Sequence, residues 1–200
     1  KYLNTRETPL FQKSRTIYGL AQARESIHEK RKAILVEGYT DVIVCHQFGI
    51  QNAVAALGTA ITAEHVRTLR RFADEMQILT DADEAGAKAS ERSLEILFQE
   101  EMPARIVRLP GQAKDPCDFL LESGVLLFEE ALKGGQALFD FKFQRISTQY
   151  DLATTQGQTQ AARDLLQLAS SVPDPIGRAA LRREIAARLN LPEEELKLEA

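Results

Sequence analysis

From residue 33 to about residue 120 the chain alternates short apolar runs with amphipathic stretches, the pattern of a mostly parallel sheet joined by crossover helices. The order reads β-α-β-α-β-α-β. "AILVE" is the first strand, followed by a helix over "TDVIVCHQFG" that Gly49 closes; "NAVAAL" is the second strand, followed by a helix over "TAEHVRTLRRFA" capped by Thr62. "MQILTD" is the third strand, "AGAKASERSLEILFQE" a long helix, and "ARIVRLP" a fourth strand ended by Pro110. The strand runs of Ile, Val, Leu and Ala are continuous rather than alternating, as required when both faces of a strand are covered.

After residue 124 the period changes. "VLLFEEALKGGQALFDFKFQRISTQY" and the segment from "TQAARDLL" to the end place apolar residues at i, i+3 and i+4, with breaks at Gly134-Gly135 and Pro173-Asp174-Pro175. This predicts a small helical subdomain over 125–200, in which Phe139, Phe141 and Phe143 serve packing. The leader, residues 1–31, has a turn signal at Thr8-Pro9 and a predicted helix around "IYGLAQARESIHEK". It is too short to fold alone, so the chain is expected to start inside a larger protein.

With 44% hydrophobic residues in 200, the chain can bury a substantial core. No apolar run approaches the ~18–20 residues that span a bilayer, and the first residues lack a signal peptide's apolar segment; a cytoplasmic location is expected. Cys45 and Cys117 are the only cysteines, in no C-x-x-C spacing, which argues against a disulfide framework and a zinc knuckle. Cys45 falls on the apolar side of its helix, and His28, His46 and His65 read as helix-surface or packing residues. The net charge of −4 weighs against nucleic acid until it is resolved along the chain: residues 1–32 carry +5, residues 33–124 carry −7 and residues 125–200 carry −2. A basic lip precedes an acidic centre.

The acids fall where chemistry is expected. In an open parallel sheet ligands bind beyond the carboxyl ends of the strands. Glu37 follows the first strand, Asp81 and Asp83 follow the third in "LTDADEAG", and Asp115 and Asp118 follow the fourth in "KDPCDF". Asp81 and Asp83, spaced by two, point the same way on an extended segment. Such carboxylates repel unless some are protonated or a cation sits among them, and magnesium, an oxygen-seeking ion held by a few carboxylates and substrate phosphates, fits best. Any one of these acids alone reads as a helix N-cap or solvated turn residue; the coincidence of three strand ends favours a divalent-metal site.

An E-G pair after the first strand, a D-x-D after the third and a further Asp after the fourth resemble the TOPRIM domain of topoisomerases and bacterial primases. The wider match is to the bacterial DnaG-type primases. "KYLNTRETPLFQKSRTIYGL" resembles their stretch before the TOPRIM domain, "VEGYTDVIVCHQFGIQNAVAALGTAIT" their E-G-Y-x-D segment and G-T loop, and "DADEAGAKAS" their D-G-D-x-A-G-x-x-A motif. The resemblance implies an α/β fold, a TOPRIM-like mostly parallel sheet with flanking helices over 32–124. Before it would come the end of the primase core's N-terminal subdomain (1–31), and after it a small helical subdomain (125–200).

It also implies primer synthesis: metal-dependent nucleotidyl transfer from nucleoside triphosphates on a single-stranded DNA template. Glu37, Asp81 and Asp83 would be catalytic, with Glu37 a ligand or a general base. Glu37, Asp41, Asp81, Asp83, Asp115 and Asp118 would form the metal site for Mg²⁺, replaceable by Mn²⁺. Glu37 and Asp41, at i and i+4 across a helix start, are near enough to cooperate. Lys1, Lys13 and Arg15 would contact template or nucleotide phosphates. Zinc, and the replicative helicase as partner, are expected only through domains absent from this chain. The sequence departs from the family at Cys117, where a second carboxylate is usual and Asp118 stands one position on, and at Ala82, where glycine is usual. Alternative readings are another TOPRIM enzyme, a topoisomerase or nuclease, and a non-catalytic DNA-binding or assembly module.

Overall fold

The computed structural model describes residues 6–8, 11–56, 60–79, 93–111, 113–194 and 196. In chain order the elements are β1 (Ile17–Tyr18), α1 (Leu20–Lys30), β2 (Lys32–Val36), α2 (Tyr39–Gln47), β3 (Ala53–Ala56), α3 (Ala63–Leu69), β4 (Glu75–Leu79) and a helix α4 at residues 93–99. They continue with β5 (Ala104–Val107), α5 (Pro116–Lys133), β6 (Gln136–Ala137), α6 (Leu138–Gln149), α7 (Thr155–Ser170) and α8 (Pro175–Leu189). The chain divides into two compact units, Lys1–Leu97 with Met102–Leu138, and Phe98–Glu101 with Phe139–Ala200. Among the described residues no helix is long and apolar enough to cross a membrane.

The first unit holds a six-stranded sheet in the order β1-β3-β2-β4-β5-β6. The inner four strands are the predicted ones and are mutually parallel. The pattern missed the antiparallel edges, β1 on β3 and β6 on β5, because two residues carry no periodicity. The helix expected over "IYGLAQARESIHEK" accordingly begins only at Leu20. Gly19, at φ 79°, turns the chain from β1 into α1, a conformation that favours glycine, and Ala23, Ser26 and Ile27 form the buried stripe of α1.

The register explains the continuous apolar runs. Leu35 pairs with Val54 and Ile78, and Ile78 with Ile106, so these side chains share one face; Ile34, Val36, Ala53, Leu79 and Val107 share the other. That second face is covered by Val42 and Cys45 of α2 and by Phe119, Leu120, Phe128 and Leu132 of α5. The pattern assigned residues 125–133 to the helical tail, but they complete α5 beyond a break at Gly124 and seat Phe128 in the sheet's core, a burial worth ~2–3 kcal/mol.

Chain order creates the functional edge. After β2 the chain goes through α2 to β3 on one side, then crosses to β4 on the other side of β2. The strand order therefore reverses between β2 and β4, and a crevice opens beyond their carboxyl ends.

The second unit is helical. Phe139 and Ile146 of α6, Ala161, Leu165 and Ala169 of α7, and Ile185 and Leu189 of α8 build its core. The Arg188 guanidinium lies 5.7 and 5.3 Å from the ring centres of Phe139 and Phe143, so these aromatics serve packing as expected. Helix α7 starts at the N-cap Thr154, and a Cβ on Gly157 would fall 2.0 Å from the Asp151 carbonyl oxygen, a distance that forces backbone to move. Gly157→Ala is expected to destabilise the helical unit by ~2 kcal/mol or more. Gly134→Ala, where the nearest atom is 3.5 Å away, is expected to be tolerated. Urea-unfolding midpoints of the two variants check this, and equal midpoints would contradict it.

Candidate active site at the carboxyl edge of the sheet

β2 ends at Val36, and Glu37 and Gly38 lead directly into α2. Gly38 is the helix N-cap; its N–H donates to Asp41 Oδ2 at 2.8 Å, and a Cβ there would lie 2.9 Å from that oxygen, so a larger residue would make the Asp41 carboxylate shift. The other Asp41 oxygen, Oδ1, accepts the Cys117 backbone N–H at 3.3 Å. One carboxylate thus joins the start of α2 to the start of α5, although the two are 76 residues apart in sequence. Asp41 is only 4% exposed. Burial holds its carboxyl above the usual carboxylate range, against the opposing Gly38 bond, and the nearby charges of Asp115 and Glu37 push it further up.

Asp115 caps α5: its Oδ1 accepts the Asp118 N–H at 2.8 Å, and Pro116 supplies a first helical residue that needs no donor. Asp115, Cys117 and Asp118 each bring a ligand atom within 4.8 Å of the others. Asp118 therefore stands close to Asp115. The Cys117 thiol is pushed up by desolvation and then by Asp115, Asp41 and Asp118, so it stays protonated and is a poor ligand for a hard cation. The oxygen donors fit Mg²⁺ or Mn²⁺ better than zinc. Glu37 is exposed at the same edge, where its charge acts on Asp41, but neither belongs to the tight cluster formed among the described residues. Asp81, Asp83 and Lys1 lie outside the described residues. Cys45 is buried, its thiol pushed up to about 12 by desolvation, which leaves it inert.

The basic leader reaches the same edge. Ile17 pairs with Ala56 at the carboxyl end of β3, and because β1 is antiparallel, the turn preceding it lies at that end. Lys13 and Arg15 occupy this turn. Among the described residues their side chains make no ion pair. The sequence reading left His65 to packing, but it anchors the turn. Thr62 Oγ1 donates to the Ser14 carbonyl at 2.6 Å, His65 Nε2 bonds the Lys13 carbonyl at 2.9 Å, and His65 Nδ1 faces the Thr62 N–H at 3.3 Å. Since Nδ1 must accept from Thr62, the neutral ring carries its proton on Nε2 and donates it to Lys13. The sequence signal was T-A-E-H, a capping box with histidine in the place of glutamate.

Two family models match the chain: Toprim-like over residues 34–120, and the DnaB-helicase binding domain of primase over residues 139–194. The DNA primase of Salmonella typhimurium is 36% identical over 194 residues, covering 96% of this chain and 33% of that protein. The chain belongs to the DnaG-type primase family. A DNA primase domain from Pseudomonas aeruginosa superposes with a TM-score of 0.91 at 33% identity, covering 99% of this chain and 63% of that one. A DnaG primase catalytic domain bound to single-stranded DNA gives 0.84 at 35% identity, covering 94% and 61%. The chain spans about a third of the length of the curated primases it matches. One expectation is corrected: the helicase-binding family model matches within this chain, in α6–α8, rather than only beyond it. Those helices read in the sequence only as amphipathic packing units, with nothing to mark a partner.

The His65 anchor carries a pH signature. Burial lowers its pKa below the ordinary ~6.5, against the carbonyl bonds to Lys13 and Thr16 that raise it, and protonation at Nδ1 would set two donors against each other at Thr62. With the folded value depressed, its stabilisation is complete above ~6.5 and is lost as pH falls through the folded value. The stability advantage of wild type over His65→Gln, measured by urea unfolding, is expected to shrink on acidification through that window. A constant difference would contradict the assignment.

Proposed function

We propose that this chain forms part of the catalytic core of a primase, which synthesises short RNA primers from nucleoside triphosphates on single-stranded DNA by nucleotidyl transfer. The observation that carries this reading is the convergence of Glu37, Asp41, Asp115 and Asp118 with the basic turn of Lys13 and Arg15 at one carboxyl edge, beside the point where strand order reverses. The other TOPRIM readings, a topoisomerase or a nuclease, are not favoured, since the relatives and solved structures this chain resembles are DNA primases.

Asp115 and Asp118 would hold a divalent cation, with Asp81 and Asp83 completing the set by motif. Bound Mg²⁺ would lower the pKa of an attacking ribose hydroxyl and neutralise charge on the departing pyrophosphate. Glu37, exposed beside them, would act as a further ligand or take the hydroxyl proton. Asp41 would position rather than ligate, since each of its oxygens already accepts a backbone N–H. Lys13 and Arg15 would hold template phosphates, so that binding of single-stranded DNA weakens with salt. Helices α6–α8 would engage the replicative helicase, as their family match suggests.

The test is Mn²⁺ binding by electron paramagnetic resonance, with and without a nucleoside triphosphate, in wild type and in Asp115→Asn/Asp118→Asn. Wild type is expected to bind Mn²⁺ more tightly when the triphosphate is present, and the double variant to lose at least about tenfold in affinity. Equal, weak binding by both proteins would overturn the metal assignment and leave a DNA-binding or assembly module.

A further inference from the structure

The amino-terminal end of the parallel strands, about 15 Å along β2 from Glu37, holds a feature the proposed reaction does not use. A cavity of about 600 Å³ opens there between the sheet and the last turns of α5. Four cations line it: Lys30 at the end of α1, Lys32 at the start of β2, Arg105 on β5 and Lys133 at the end of α5. A single carboxylate, Glu129, lines it with them. Glu75, just outside, bonds Lys32 Nζ at 3.1 Å and Arg105 Nε at 2.9 Å, which fixes those two side chains and offsets one charge. Among the described residues Lys30 Nζ donates to the Asn52 amide oxygen at 3.4 Å and forms no ion pair, and neither do Lys133 and Glu129. Two ammonium groups therefore line the cavity with no carboxylate partner among the described residues.

The floor has a different chemistry. Ile34, Ile50 and Leu132 make it apolar, and two amides are buried among them, Asn52 at 3% and Gln77 at 7% exposure. Asn52 Nδ2 donates to the Lys32 carbonyl at 3.0 Å and Gln77 Nε2 to the Leu132 carbonyl at 2.9 Å. No described group donates to the Gln77 amide oxygen. Gln77, in the middle of the central strand β4 and paired between Ile34 and Arg105, is not among the buried polar atoms left without a partner, so its oxygen opens on the cavity, where water or a ligand can donate to it.

We propose that this cavity is a second, metal-independent nucleotide site: the phosphates lie against Lys30 and Lys133, and the base rests on the apolar floor with an amino group donating to Gln77. The volume suits a mononucleotide, the excess of cations calls for a multiply charged anion, and the floor and amides give bare phosphate no use for half the cavity. The site would bear on the acidic edge through two elements. β2 runs from Lys32 here to Glu37 there, and α5 runs from Lys133 here to its cap Asp115 there.

Equilibrium dialysis of the 200-residue chain with labelled ATP in excess EDTA tests this apart from any metal site. The expected result is saturable one-to-one binding, unchanged in Asp115→Asn and weakened at least about tenfold in Lys30→Ala/Lys133→Ala, both exposed positions whose loss leaves the core intact. Inorganic pyrophosphate is expected to compete less well than ATP. Absence of saturable binding in EDTA, binding that survives in the lysine variant, or pyrophosphate competing as well as ATP would each overturn the assignment.

Discussion

The carboxylate of Asp41 is the interaction on which the edge depends. It is almost fully buried and lies among like charges, and both conditions oppose ionisation. What holds it is backbone: the N–H groups of Gly38 and Cys117 at the first turns of α2 and α5, each charge-assisted bond worth ~1.5–3 kcal/mol. The same two bonds draw the turn after β2 and the turn after β5 together. Glu37 on one side and Asp115 with Asp118 on the other are therefore placed by one residue that itself stays out of solvent. Gly38 is part of the same device, since a Cβ there would crowd the Asp41 carboxylate oxygen that its N–H holds.

Charge is organised by sheet end rather than by net value. The carboxyl edge gathers acids and borrows the Lys13–Arg15 turn, which Thr62 and His65 pin in place from the start of α3. The amino edge gathers lysines and an arginine around a cavity. A net charge of −4 averages over both. The average weighs against phosphate-bearing ligands; the layout favours them at each end, with a cation mediating at one and without it at the other.

Much of this was legible beforehand, for definite reasons. The continuous runs "AILV" and "NAVAA" could only be strands covered on both faces, and their ends located the acids. Local pattern could not separate Asp115-Pro116 from Asp174-Pro175. Both are N-cap and first-turn pairs, and both aspartates accept an N–H three residues on, at 2.8 and 2.6 Å. What distinguishes Asp115 is the strand before it, which delivers its cap to the sheet edge. The bridging role of Asp41 and the anchoring role of His65 were hidden because their partners lie 76 and 52 residues away. The continuation of α5 past Gly124 was hidden because an amphipathic helix reads alike whether it covers a sheet or joins a bundle.

Residue-resolved Mn²⁺ broadening of backbone amide signals tests most directly whether a cation is drawn to the edge Asp41 assembles. The amides of Gly38, Asp41, Cys117 and Asp118 are expected to broaden first at substoichiometric Mn²⁺, while those of Lys30, Asn52 and Lys133 stay sharp. Broadening that begins at the amino edge, or spreads evenly over exposed carboxylates, would contradict it.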